Sequence, residues 1–109
     1  MSEERFLVTG AMGCLGAWVV RNLVRQGIAT TVFDLSDDKR RLELIMENSE
    51  IAQLTFIQGD IIDTAVVSAA VAANDITHII HLAALQVPFC RANPAVGAAV
   101  NVVGTVNVF

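Results

Sequence analysis

Apolar residues along this chain fall into short runs closed by a glycine, an acid or an asparagine, with helical patterns between them. Phe6 to Val8 is the first run, a strand over about 5–9 that ends at Thr9-Gly10. A helical pattern follows without a linker, with Trp18, Val19 and Leu23 on one face, and it runs to Gln26 with Gly27 as its stop. A second run, Thr30 to Phe33, lies in a strand over about 29–34 that ends at Asp34. Ser36 is then expected to cap a helix reaching about Asn48. A third strand over about Leu54–Gln58 closes at Gly59-Asp60, and a helix over about Thr64–Ala73 is ended by Asn74-Asp75. A fourth strand spans about Thr77–Leu82. A loop holding Pro88 and Pro94 leads to a final helix from about Ala95. That helix has Val96, Val100 and Val103 on one face and Val102, Val106 and Phe109 on another, more apolar surface than one packing contact buries.

Strands that alternate with helices and show no polar alternation predict a parallel sheet covered on both faces. Right-handed crossovers place the four strands in the order 3-2-1-4. The expected fold class is α/β, the N-terminal half of a Rossmann-type doubly wound sheet. It forms one domain over residues 1–109, whose last helical pattern reaches Phe109 with no C-cap and reads as truncated. A fifth strand would then be missing beside the fourth, leaving an open apolar edge and an expectation of self-association.

The turn after the first strand carries the main chemical signal. Gly10, Gly13 and Gly16 form G-x-x-G-x-x-G between a strand and a helix, the context in which such glycines bind a dinucleotide pyrophosphate. Gly10 suits the tight turn, Gly13 the approach of backbone to phosphate, and Gly16 close helix–strand packing. Cys14 and Leu15 complete the loop and, with Gly16, offer the free N–H groups and partial positive charge of a helix N-terminus. The triplet alone is equally a plain tight turn. Asp34 separates the two readings: it lies 18 positions after Gly16 at a strand end, close to the spacing of about 20 at which a carboxylate binds the adenine ribose hydroxyls. A carboxylate there repels a 2′-phosphate, so NAD is expected over NADP, with Lys39, Arg40 and Arg41 as the groups able to oppose it.

Composition narrows the classes further. The chain has 109 residues, 54% of them apolar and only 17% charged, rich in apolar residues for a free-standing domain and suggestive of surface that a partner subunit or missing chain covers. A net charge of −4, with no basic cluster beyond Lys39-Arg40-Arg41, gives nucleic acid no electrostatic footprint. Residues 92–109 hold no charge, but Asn93, Pro94, Asn101, Thr105 and Asn107 make them too polar for a membrane span. Met1-Ser2-Glu3-Glu4-Arg5 is acidic and does not read as a signal peptide. The two cysteines, Cys14 and Cys90, lack motif spacing, which with the N-terminus points to a reducing, cytoplasmic setting. His78 and His81, three apart on a strand, point to opposite faces and do not form a metal pair.

Thr9-Gly10-x-x-Gly13-x-x-Gly16, Gly59-Asp60-Ile61, His81-Leu82-Ala83-Ala84 and Asn101-Val102-Val103-Gly104-Thr105 occur in that order. Together they resemble the N-terminal cofactor-binding part of the extended short-chain dehydrogenase/reductase family, the NAD-dependent epimerase/dehydratases, over residues 5–109. The resemblance implies that Asp60 and Ile61 border the adenine ring, and that Leu82, Ala83 and Ala84 line the cofactor near its ribose and nicotinamide. Sheet packing alone accounts for the two alanines as well. Gln86 falls where some sugar-nucleotide members carry a basic residue, and Asn101 would help hold the active-site backbone. The resemblance also implies a catalytic Tyr-x-x-x-Lys pair. This chain has no tyrosine, and its one lysine, Lys39, follows Asp34 on the wrong side of the fold. The expected function is therefore the NAD-binding part of an oxidoreductase, epimerase or dehydratase. Its substrate, met only in an intact parent, would be a nucleotide-sugar-like or small carbonyl or alcohol compound, and the parent is expected to be a homo-oligomer. A non-catalytic dinucleotide sensor or scaffold of the same fold is the alternative.

Overall fold

The computed structural model describes residues 4–84 and 87–109, with 87–89 as backbone only. Four parallel strands form one sheet in the order β3-β2-β1-β4, the topology expected from the crossovers. They are β1 (Arg5–Thr9), β2 (Ala29–Asp34), β3 (Thr55–Gln58) and β4 (His78–His81). Thr9 pairs with Phe33 on one side and His81 on the other, and Asp34 pairs with Gln58, so the four C-terminal ends lie along one rim.

Side-chain alternation along the strands builds two cores. Val8 and Val32 face the layer made by α1 (Cys14–Arg25) and α2 (Arg40–Ile45), where Val20, Val24 and Leu42 are buried. Their neighbours Leu7 and Phe33 face the opposite layer, with Val67 and Ala70 of α4 (Thr64–Ala73). In α1 the buried face is Gly16, Ala17, Val20, Leu23 and Val24. Trp18, expected on one face with Val19 and Leu23, does not share the burial of Leu23: it is about half exposed and packs under the Arg21 guanidinium 5.2 Å from its ring centre. At its start the buried face of α1 is small, Gly16 and Ala17, because the helix begins directly against the glycine turn.

The helix expected from Ser36 to Asn48 is instead two short ones, α2 and α3 (Asn48–Ile51). Local side chains compete for the backbone: Asp34 Oδ1 accepts from Ser36 N, Ser36 Oγ from Asp38 N, and Asp38 Oδ1 from Arg40 N. These turns delay helix entry to Arg40. A capping box between Glu47 and Glu50 then starts α3 separately. The stretch expected as a loop around Pro88 holds a helix, α5 (Val87–Ala92); a proline in the first turn has no intrahelical N–H to lose.

The final helix begins at Pro94, capped by Asn93 Oδ1 on Val96 N. It runs through α6 (Pro94–Ala98), a π-helical segment over Ala99–Val103 and α7 (Gly104–Val108). Of its two expected valine stripes only Val100 packs inward, joined by Val108. Val96, Val103, Val102, Val106 and Phe109 are exposed. The buried positions are Gly97 and Gly104, so backbone rather than valine meets the core: a Cβ on Gly104 would stand 2.6 Å from Ile61 Cγ2.

Candidate functional site: a glycine-turn cavity at the carboxyl rim

The rim where the strands end opens into a cavity of about 940 Å³. Its floor is the glycine turn. Gly10 adopts φ +70°, and a Cβ there would lie 2.8 Å from Ala83 N and 2.9 Å from Leu82 C. The first β-strand's turn therefore lies directly against the backbone leaving β4, and only glycine meets both the conformation and the contact. A Cβ on Gly16 would collide with the Gly10 carbonyl oxygen and stand 2.7 Å from Ala11 Cα. The turn is closed by Gly13 N donating to Gly10 O at 3.1 Å. Gly13 then caps α1, whose first turn carries no acidic residue. The opening N–H groups of a helix lack intrahelical partners, so this twelve-residue helix directs donors and positive dipole at the cavity.

Asp34 stands at the end of β2 with both carboxylate oxygens engaged. Oδ2 accepts from Met12 N and Oδ1 from Ser36 N, each at 2.9 Å. A carboxylate oxygen accepts more than one hydrogen bond, so both retain capacity for a vicinal diol. The bond to Met12 ties Asp34 to the glycine turn, a link that sequence spacing alone does not reveal. Of the neighbouring cations, Arg40 is held by Asp38 at 2.7 Å, and this contact draws the Asp38 carboxyl below its ordinary range. Lys39 Nζ lies over the Phe56 ring at 4.1 Å. Arg41 lines the cavity beside Arg40 and Leu44.

Other expected residues fall as follows. Gly10, Gly13, Cys14, Leu15, Gly16, Asp34, Asp60, Ile61, Leu82, Ala83 and Ala84 all line the cavity. Ile61 is also buried against Gly104, and Asp60 Oδ1 accepts from Ile62 N at 3.2 Å. Asn101 does not line it: its Nδ2 donates to Cys90 Sγ at 3.4 Å and its carbonyl accepts from Thr105. Gln86 lies outside the described residues. Met12, Phe33, Leu35, Ser36, Asp38, Gly59 and Val100 also line it and were not among the expected cofactor residues. Their common signal is position, each lying at or just past a strand end or on the last helix.

His78 and His81 have separate neighbours. His78 stacks on Phe6 with ring centres 4.7 Å apart, while His81 bonds to Thr9 and Thr105. Among the described residues no group of three or more His, Cys, Asp or Glu is placed to hold a metal ion, and no helix is long and apolar enough to cross a membrane.

Residues 7–109 match the GDP-mannose 4,6 dehydratase family. The chain belongs to the extended short-chain dehydrogenase/reductase family of NAD-dependent epimerases and dehydratases. Rat 3 beta-hydroxysteroid dehydrogenase type 7 is 38% identical over 106 residues, covering 94% of this chain and 30% of the relative. The human protein named inactive L-threonine 3-dehydrogenase, mitochondrial, is 33% identical over 106 residues, covering 97% of this chain and 44% of the relative. Among solved structures, Thermus thermophilus UDP-glucose 4-epimerase in complex with NAD superposes with a TM-score of 0.79 at 26% identity, over 95% of this chain and 32% of that one. The Bordetella bronchiseptica enzyme WbmG in complex with NAD and UDP gives 0.78 at 29%, over 98% and 33%. The chain thus spans less than half the length of these relatives.

Proposed function

We propose that this chain binds NAD as the cofactor-holding N-terminal part of an oxidoreductase, epimerase or dehydratase. The substrate class would be nucleotide sugars or small carbonyl and alcohol compounds. One observation carries the reading: the α1 N-terminus, the Gly10 turn and the Asp34 carboxylate converge on one cavity, linked by the Met12 N–H to Asp34 bond. The donor set fits the two ends of an ADP moiety. Backbone N–H groups at Gly13 to Gly16 would take the pyrophosphate, and Asp34 would take the ribose diol. The small side chains of Ala83 and Ala84 leave the far wall open for a flat ring, and Asp60 with Ile61 would border the adenine. NAD, once bound, supplies the hydride acceptor and donor. This chain's residues bind and orient it, and hold the glycine turn against the β4 exit.

NAD is favoured over NADP because the Asp34 charge would face a 2′-phosphate, while Arg40 is engaged by Asp38 and Lys39 by Phe56. Titration of the chain with NAD and NADP tests this. Tighter NAD binding is expected, and equal or tighter NADP binding would overturn it. A non-catalytic dinucleotide sensor or scaffold is the second reading, favoured by the relative named inactive. A Tyr-x-x-x-Lys pair encoded downstream of Phe109 would decide for the enzyme, and an in-frame stop for the sensor. Two cysteines without motif spacing suit a reducing, cytoplasmic setting, and exposed valines on the last helix suit a homo-oligomer; neither nucleic acid nor membrane is proposed as a partner.

A further inference from the structure

Thr9, His81 and Thr105 form a chain of hydrogen bonds between the glycine turn and the last helix. Thr9 is buried at the end of β1, and its Oγ1 accepts from Leu82 N at 3.0 Å and Ala83 N at 3.2 Å. Two donors fill the hydroxyl's two lone pairs, so its own proton is left for His81 Nδ1, 2.6 Å away. At the other end, Thr105 Oγ1 donates to Asn101 O at 2.7 Å, so toward His81 Nε2, at 3.0 Å, it accepts. The two ends independently demand the same imidazole: Nδ1 bare, Nε2 carrying the proton. We propose that His81, as this neutral Nε2–H tautomer, is a positioning residue for the dinucleotide cavity. Through Thr9 it holds the Leu82–Ala83 backbone against Gly10, and through Thr105 it ties that wall to the last helix.

An imidazolium has a proton on Nδ1 and cannot accept from Thr9. The Thr9 hydroxyl would have to turn and give up one of the two backbone N–H groups it receives. Leu82 N also donates to Thr9 O at 3.1 Å, so the bond at stake is the one from Ala83 N; that group belongs to the wall that Gly10 touches, and proton uptake loosens the cavity. Burial lowers the His81 pKa from its ordinary value, in keeping with a neutral ring. Among the described residues no charged group offsets this from the surrounding elements. The last helix from Pro94 to Val108 carries none, and on β1 Arg5 lies at the opposite end, bonded to Asn74 O. On β4, His78 meets Thr77 and Phe6. Cys14 is exposed beyond the turn, and α5, packed on α6, brings Cys90 and Arg91. Because the folded-state pKa is depressed, the stabilisation is complete above the ordinary histidine range, about pH 6.5. It is lost as pH falls through the lower native value.

This inference rests on the proposed NAD site, and the test separates the two. Nitrogen NMR of the imidazole reads the tautomer in the chain without NAD. Protonated Nε2 with bare Nδ1 is expected, and the reverse tautomer overturns the proposal. NAD affinity is then measured between about pH 8 and pH 5. The native chain is expected to lose about tenfold in affinity toward the acid end, the equilibrium counterpart of one buried hydrogen bond. His81→Asn, whose carbonyl accepts from Thr9 but does not titrate, is expected to bind at pH 8 within about threefold of the native chain and to flatten the acid loss. His81→Leu is expected to bind about tenfold more weakly at every pH. An unchanged acid loss in His81→Asn overturns the role. Absence of NAD binding in every chain sinks the cofactor reading alone, and the tautomer still decides for or against His81.

Discussion

Replacing Asp34 by alanine removes a ribose ligand and two acceptors of backbone N–H groups, from Met12 and Ser36. Affinity for NAD is expected to fall about 10–100-fold, as for the loss of one or two hydrogen bonds to a charged group. NADP binding should change less, because the repelling charge goes with the ligand. Calorimetric titration of both nucleotides checks this, and an equal loss for both would show that Asp34 acts only as a clamp on the turn. Gly10 gives a second residue-scale test. At φ +70°, and with a Cβ only 2.8 Å from Ala83 N, alanine is both strained and obstructed. Gly10→Ala is expected to cost about 2 kcal/mol or more of stability and to abolish NAD binding, read from the urea midpoint and from titration. The spacing of Gly10, Gly13, Gly16 and Asp34 was legible in sequence because strand, turn and helix are contiguous there. The bond joining Asp34 to Met12 was not, because it spans 22 residues and depends on two strands being neighbours. Thr9 and His81 were hidden for the same reason: their register partnership exists only once β1 and β4 are paired.

Among the elements, α4 was read with its bounds intact, while the segments after Asp34 and around Pro88 were not. Asp63 caps α4 through Oδ1 on Ala65 N and Val66 N, while the neighbouring Asp60 side chain takes only Ile62 N, ahead of the cap. Asp63→Ala is accordingly expected to cost about 1 kcal/mol, a lowered thermal midpoint with the sheet intact. After Asp34, by contrast, three short polar side chains take backbone N–H groups in succession, and helical periodicity in Leu42 to Ile45 cannot report that delay. The last helix misled for a different reason. Its valines advertise two apolar faces, but the surface that reaches the core is Gly97 and Gly104, and the π segment over Ala99–Val103 shifts the register between them. Gly104→Ala would press a methyl group onto the buried Ile61, which borders the cavity. A loss of about 1–3 kcal/mol is expected, with weaker NAD binding if the displaced helix carries Ile61 with it. A variant as stable as the native chain would mean that the helix slides freely on the sheet.

At the scale of the molecule, the sheet is covered on both faces, while β4 has a strand neighbour only in β1 among the described residues. The last helix, packed against α4 and β4, presents Val102, Val106 and Phe109 to solvent, exposed by 61%, 67% and 100%. Two copies meeting through this stripe bury each of these side chains twice, because a two-fold contact uses the same surface on both partners. Six apolar side chains at about 1.5–3 kcal/mol each contribute at most about 9–18 kcal/mol, and association costs about 4–15 kcal/mol. The two ranges overlap, so the expected dimer is weak and depends on concentration. Sedimentation velocity across the micromolar range should show a rising mean mass. The double variant Val102→Glu/Val106→Glu should remain monomeric at every concentration, with NAD affinity unchanged, because neither residue lines the cavity. An open edge at β4 would associate by strand pairing instead, and then the double variant would self-associate as strongly as the native chain. A native chain that stays monomeric throughout would sink the homo-oligomer proposal for this surface.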